Sequence, residues 1–76
     1  MAKTAGTKLR ILHIYELLRT KSSEEHPLSA PDIVEELAKL DIPCERKAVY
    51  SDIDTLIEFG YEIEQKKNAG YYLKRQ

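Results

Sequence analysis

The sequence has a single cysteine, Cys44, and no apolar run as long as a membrane span. One cysteine cannot form a disulfide within the chain, and we expect Cys44 to fill a small position at a helix entry. A membrane-spanning helix needs about 20 mostly apolar residues, so we expect no membrane segment. The first residues, MAKTAGTK, also lack the apolar core of a secretory signal. The sequence therefore predicts a cytoplasmic protein.

The residue sets that catalysis and metal binding require are also lacking. We find no paired carboxylates, no nucleophile–base set and no phosphate-binding loop, and a chain of 76 residues has a core too small to desolvate an active site. His13 and His26 are far apart in the sequence and lie near no other clustered ligands. We expect no enzyme activity, no metal or other cofactor, and no small-molecule ligand within this chain.

The chain also lacks an excess of positive charge, because 12 basic residues face 13 acidic ones and the formal net charge is −1. The distribution of charge is more informative than its sum. Basic residues prevail in residues 1–20 and 61–76 and at the start of 44–60, whereas residues 21–43 are acidic. A nucleic acid could bind only if the basic segments meet on one surface.

The spacing of apolar residues predicts three helices. The first runs from Lys8 to Thr20, after a flexible arm at residues 1–7. The second begins at Ser29, a good N-cap, and Asp32 resembles the acidic member of a capping box. The third occupies residues 44–60, where the final glycine can end the helix in a left-handed conformation.

Each predicted helix has an apolar stripe that we expect to face the core. The stripes are Ile11, Ile14, Tyr15 and Leu18; then Ile33, Val34, Leu37, Ala38 and Leu40; then Val49, Ile53, Leu56 and Ile57, with Phe59 at the edge. On the first helix, Leu9, Leu12 and Leu17 spread further round than one packing face requires. These leucines pack on a partner, or else the other elements surround the helix.

After the third helix, the apolar period changes from 3.6 to 2, which predicts a β-hairpin. Residues 61–66 alternate between two faces, and residues 71–73 return as a second strand. Asn68 tolerates the positive φ that a hairpin loop demands. Leu28 is expected to add a short edge strand. The predicted fold is therefore mainly α with a small β-hairpin, a winged helix-turn-helix made of three helices plus a wing.

The exposed side of the third helix is graded in charge. Its first turns carry basic or hydrogen-bonding side chains, whereas Asp54 and Glu58 in its last turns would repel phosphate. Such a helix can turn its N-terminal end towards DNA, where the helix dipole also attracts anions. The other reading is an amphipathic core helix whose charged side only meets water. Asp52, at the edge of the buried stripe, is expected to be structural and to pair with an arginine or a backbone N–H.

The runs Arg46–Leu56, Phe59–Tyr61 and Gly70–Leu73 resemble the N-terminal domain of bacterial DeoR-like regulators. The likeness is greatest to regulators that carry a C-terminal WYL ligand-sensing domain, and it covers residues 8–73. The family usually has Thr at the position of Ala48 and Arg at that of Ser51. The resemblance implies a transcriptional regulator, or its N-terminal fragment, that places residues 44–60 in the major groove of double-stranded DNA.

The predicted DNA contacts come from the third helix, the wing and the first helix. They are Arg46, Lys47, Ala48, Tyr50 and Ser51; Lys66, Lys67 and Asn68; and Lys8 and Arg10. One domain alone would bind weakly, so we expect pairing into a homodimer to strengthen binding to two half-sites. The alternative is a winged-helix module for protein interaction or dimerisation, with the extra leucines of the first helix as its working surface.

Overall fold

The computed structural model describes residues 6–74 and contains three helices followed by one hairpin. The elements are α1 (Gly6–Lys21), α2 (Ala30–Lys39), α3 (Arg46–Phe59), β1 (Ile63–Lys66) and β2 (Gly70–Leu73). This order confirms the predicted winged helix-turn-helix. The predicted arm lies outside the described residues except for Gly6 and Thr7, which belong to the first turn of α1.

A capping box starts α2, as the sequence predicts. The Ser29 side chain accepts a hydrogen bond from the Asp32 backbone N–H, and the Asp32 carboxylate accepts one from the Ser29 N–H. At its other end the chain turns sharply through Asp41, whose φ is 66°. The backbone N–H of Ile42 then donates to the Leu37 carbonyl. This short link brings α3 against α2 as the second half of a helix-turn-helix.

The core lies between the three helices and is closed by the hairpin. Its buried side chains come from the three helices and β1: Ile14, Leu17, Leu18, Ala30, Ile33, Leu37, Val49, Ile53, Leu56 and Ile63. On α3 the buried residues are Val49, Asp52, Ile53 and Leu56, which follow the i, i+3, i+4, i+7 spacing of one helix face.

Four apolar residues that we expected in the core stripes, or at their edge, are exposed. Ile57 is 44% exposed and Phe59 is 78% exposed, because the buried face of α3 is rotated towards Asp52 and α1. Leu40, at 47%, follows the last residue of α2, where the chain already turns away. Ala38 in the last turn of α2 is also exposed.

The hairpin is antiparallel and pairs Ile63 with Leu73 and Lys66 with Gly70. Asn68 takes the expected positive φ, 63°, at its tip. On the other edge of β2, Leu28 and Tyr71 exchange two backbone hydrogen bonds of 2.8 and 2.7 Å. Leu28 thus forms the predicted edge contact, and it ties the hairpin to the connector between α1 and α2.

Candidate nucleic-acid interface

The first turns of α3 carry an exposed polar face. Arg46, Lys47, Tyr50 and Ser51 are all exposed, while Ala48 between them is half-buried. Val49 and Ile53 hold the other side of the helix in the core. Because the apolar stripe fixes the rotation of α3, its basic first turn points away from the protein.

The wing brings a second set of polar side chains, since Lys66, Lys67 and Asn68 are all exposed. The ammonium of Lys66 donates a hydrogen bond of 2.9 Å to the backbone carbonyl of Glu24. An ammonium has three donor hydrogens, so this bond leaves two for another acceptor.

The wing and α3 meet in one shallow concavity. Its walls come from three elements: Ser29, Ala30 and Pro31 at the start of α2, Tyr50 of α3, and residues 65, 66 and 68–71 of the wing. The rings of Tyr50 and Tyr71 lie 6.4 Å apart, centre to centre, and are tilted by 59°. Burial raises the pKa of the Tyr71 phenol above its ordinary value. This hydroxyl, like any tyrosine hydroxyl near neutral pH, is protonated and can donate a hydrogen bond.

A buried ion pair fixes α3 to α1. Nε and Nη2 of Arg10 donate to the carboxylate of Asp52, the second at 3.1 Å. The Asp52 side chain is 6% exposed and that of Arg10 is 18% exposed. The hydrogen bonds that Arg10 donates to Asp52 raise the pKa of Arg10 above its ordinary value, so the guanidinium stays charged. The expected structural role of Asp52 is confirmed.

The two predicted contact residues of α1, Arg10 and Lys8, differ in their surroundings. The guanidinium of Arg10 is engaged by Asp52, so the structure gives it a partner within the protein. Lys8 is exposed in the first turns of α1. Neither residue lines the concavity. Their phosphate contacts stay predictions.

The start of α2 and the ring of Tyr71 also line this surface, although we did not predict them as site residues. The capping box was a usable signal for Ser29, since it marks a helix N-terminus that can approach a phosphate. Tyr71 gives no such signal, because its place beside Tyr50 depends on how the hairpin folds back onto α3.

The described residues contain no group of three or more histidine, cysteine, aspartate or glutamate side chains that could hold a metal ion. Cys44 is half-buried beside the Arg10–Asp52 pair, and burial raises the pKa of its thiol. Within residues 6–74, no helix is long and apolar enough to cross a membrane.

Comparison with known protein families identifies a match for this chain. A family model described as an HTH domain aligns with residues 10–72, which covers every element except the first turn of α1 and the last residue of β2. No curated protein and no solved structure matches the chain.

Proposed function

Because the chain belongs to the family of helix-turn-helix (HTH) domains, we propose that it binds double-stranded DNA as the DNA-binding domain of a bacterial transcriptional regulator. In this proposal α3 enters the major groove and the wing lies on the sugar–phosphate backbone. The observation that carries it is the single concavity in which Tyr50 of α3 meets Lys66 and Asn68 of the wing.

The first turns of α3 read the groove in this proposal. Arg46 and Lys47 meet phosphates or guanine edges, and Tyr50 meets a phosphate or a thymine methyl group. Ser51 donates to a phosphate or a base, and the small Ala48 lets the helix approach closely. The exposure of the four polar side chains supports these roles, because no large movement is needed to bring them to DNA.

The wing supplies contacts that do not depend on base sequence. Lys66 and Lys67 neutralise phosphates, and Asn68 follows the backbone or the minor groove. Lys8 adds a phosphate contact from α1. Arg10 adds a further phosphate contact in this scheme, and its ion pair with Asp52 holds α3 against α1.

The finer identity follows the sequence resemblance to DeoR-like regulators with a WYL domain. Residues 1–76 then form one winged helix-turn-helix domain that acts in the bacterial cytoplasm and needs neither catalysis nor a cofactor. Two such domains bind two half-sites about one helical turn of DNA apart.

Salt-dependent binding to duplex DNA tests the proposal. Fluorescence anisotropy with a labelled random duplex should show binding at low salt that weakens as salt rises. Each phosphate contact contributes about −0.9 to the slope of log affinity against log salt concentration. A parent chain with no salt-sensitive binding to any duplex would contradict the proposal.

Matched variants separate the parts of the surface. Lys66→Ala/Lys67→Ala should reduce the magnitude of the salt slope by about 2. The control Lys39→Ala removes an exposed lysine from the opposite, acidic side of α2 and should leave the slope unchanged.

Arg46→Ala should weaken a selected binding site more than random DNA, and an equal loss on both would mean that Arg46 contacts only phosphate.

A second candidate function is protein interaction without DNA binding. It is favoured by the exposure of Leu12 and Phe59, at 61% and 78%. The duplex titration separates the two functions, since an interaction module has no reason to bind DNA in a salt-dependent way.

A further inference from the structure

An apolar groove runs between α1 and the C-terminal half of α3. It is lined by Ile11, Leu12, Tyr15, Thr55, Leu56, Phe59 and Tyr61. Phe59 and Leu12 are the two most exposed large hydrophobic residues of those described, at 78% and 61%. The centre of the Tyr61 ring lies 5.5 Å from that of Phe59 and 4.5 Å from that of Tyr15, so aromatic rings make up much of the lining of the groove. A contiguous apolar surface of this kind is typical of a contact with another macromolecule.

The groove lies away from the proposed DNA surface. An α-helix turns by about 100° per residue, so Phe59, nine positions after Tyr50, projects from the opposite side of α3. The side chain of Tyr50 faces the wing, as its contact with Tyr71 shows. A partner seated in the groove therefore leaves Tyr50 and the wing free.

The charges on the exposed face of α1 are arranged symmetrically about Leu12. Lys8 lies four residues before Leu12 and Glu16 four residues after it, and all three side chains are exposed. Residues four apart share one face of a helix. When two copies of α1 run antiparallel with Leu12 against Leu12, each Lys8 falls opposite a Glu16 of the other copy. A two-fold symmetric interface requires this self-complementarity.

Glu16 is accessible to such a partner. Its Oε1 accepts a hydrogen bond of 2.9 Å from Arg19 of the same helix, but the two side chains are 55% and 47% exposed. A carboxylate has two oxygens with several acceptor positions, so Glu16 can bind a second cation without losing Arg19.

We propose that a second copy of this chain occupies the groove, in a symmetric dimer whose α1 helices pack antiparallel about Leu12. Leu12 and Phe59 of each copy become buried, and two Lys8–Glu16 pairs flank them. The dimer does not depend on DNA binding, and it keeps both concavities exposed.

Sedimentation equilibrium of the chain without DNA tests the dimer. We expect reversible dimerisation that is detectable as the chain concentration is raised to about 1 mM. Leu12→Glu should raise the dimer dissociation constant by about tenfold or more. The matched control is Leu40→Glu, which adds the same charge at an exposed leucine outside the groove and should leave the constant unchanged. Circular dichroism of each variant checks that the helices are retained.

Charge reversal tests the antiparallel register. Lys8→Glu and Glu16→Lys each place two like-charge pairs in the dimer, and each should weaken it by about fivefold. An equimolar mixture of the two variants should form a heterodimer as tight as the parent, because both pairs are then of opposite charge.

The proposal is overturned if the parent chain stays monomeric, in which case the groove serves a different partner. It is also overturned if Leu12→Glu behaves like Leu40→Glu, or if the mixture of charge variants associates no better than either variant alone. The duplex titration is carried out with the parent chain and the wing variants, and the dimer is measured without DNA, so a failed dimer and failed DNA binding remain distinguishable.

Discussion

The ion pair between Arg10 and Asp52 is the clearest side-chain contact that sets the orientation of α3. Asp52 lies in the buried stripe of α3, between two apolar neighbours, and would be costly there without a partner. A buried ion pair adds little net stability, since desolvation offsets most of the attraction. Its geometry nevertheless fixes how α3 is rotated against α1, and hence where Arg46 and Tyr50 point.

Asp52→Asn is expected to lower the free energy of unfolding by about 2 kcal/mol, because the guanidinium of Arg10 loses its counter-charge while remaining largely buried. Urea denaturation followed by circular dichroism measures the loss. Asp54→Asn makes the same change at an exposed position two residues away and should cost less than about 0.5 kcal/mol. Equal losses for the two variants would show that the pair has no structural role.

Local features at the ends of the helices and strands stabilise them. The capping box satisfies backbone groups at the start of α2, and Gly60 follows the last residue of α3 with a φ of 131°. Gly70 starts β2 at a φ of 143° and lies directly against the backbone of Leu28. These positions set where the helices and the wing begin and end.

Ser29→Ala should lower the free energy of unfolding by about 1 kcal/mol, because the backbone N–H of Asp32 loses its acceptor. Ser51→Ala, in the exposed middle of α3, is the control and should change stability by less than about 0.5 kcal/mol. Chemical denaturation of both variants measures the two changes in the free energy of unfolding. A smaller loss at Ser29 than at Ser51 would mean that the cap does not stabilise α2.

Alanine substitutions at Gly60 and Gly70 make a second comparison of matched variants. Alanine at either position is strained by the positive φ, at a cost of roughly 1–3 kcal/mol. At Gly60 nothing lies within 4 Å of the added Cβ, whereas at Gly70 it would overlap the carbonyl group of Leu28. Gly70→Ala should therefore be the more destabilising in thermal unfolding, and it should loosen the wing. The opposite ranking would contradict the close approach of Leu28 and Gly70.

At the scale of the whole molecule, the hairpin and the helices share one small core. Ile63 of β1 is buried among the helix side chains, and Leu28 joins β2 to the connector between α1 and α2. A chain of this size buries only about 60% of its unfolded surface, so no part of it is expected to fold alone. The wing is thus held in a fixed position relative to α3.

Hydrogen exchange tests this coupling. The backbone N–H groups of Leu28 and Tyr71 should exchange with the same free energy as those of Ile14 and Ile53, because all four require global unfolding. Native-state exchange followed by NMR in low concentrations of urea gives the comparison, and the amide of Asn68 at the exposed tip is the fast-exchanging control. A lower free energy for Leu28 and Tyr71 would mean that the wing opens separately.

Much of the architecture could be predicted because it depends on local chemistry. The capping box, the turn at Asn68 and the change of period after Gly60 are each written within a few consecutive residues. The predictions for Ile57 and Leu40 were wrong because helical periodicity defines a broad stripe, and only packing against α1 decides which part of it is buried. For the same reason, the sequence left open whether the leucines of α1 are covered. The structure buries Leu17 and exposes Leu9 and Leu12.

The sequence by itself determined three helices and a hairpin, since periodicity and end signals act over short distances along the chain. It also predicted which side chains contact DNA, mostly basic and polar residues at a helix start and a turn, and these contacts stay predictions. Tertiary packing alone decided that Arg10 is held by Asp52 and that Tyr50 and the wing line one concavity. It alone also placed Phe59 and Leu12 together in a groove. These contacts join residues far apart in the chain, and no local pattern specifies which of them meet.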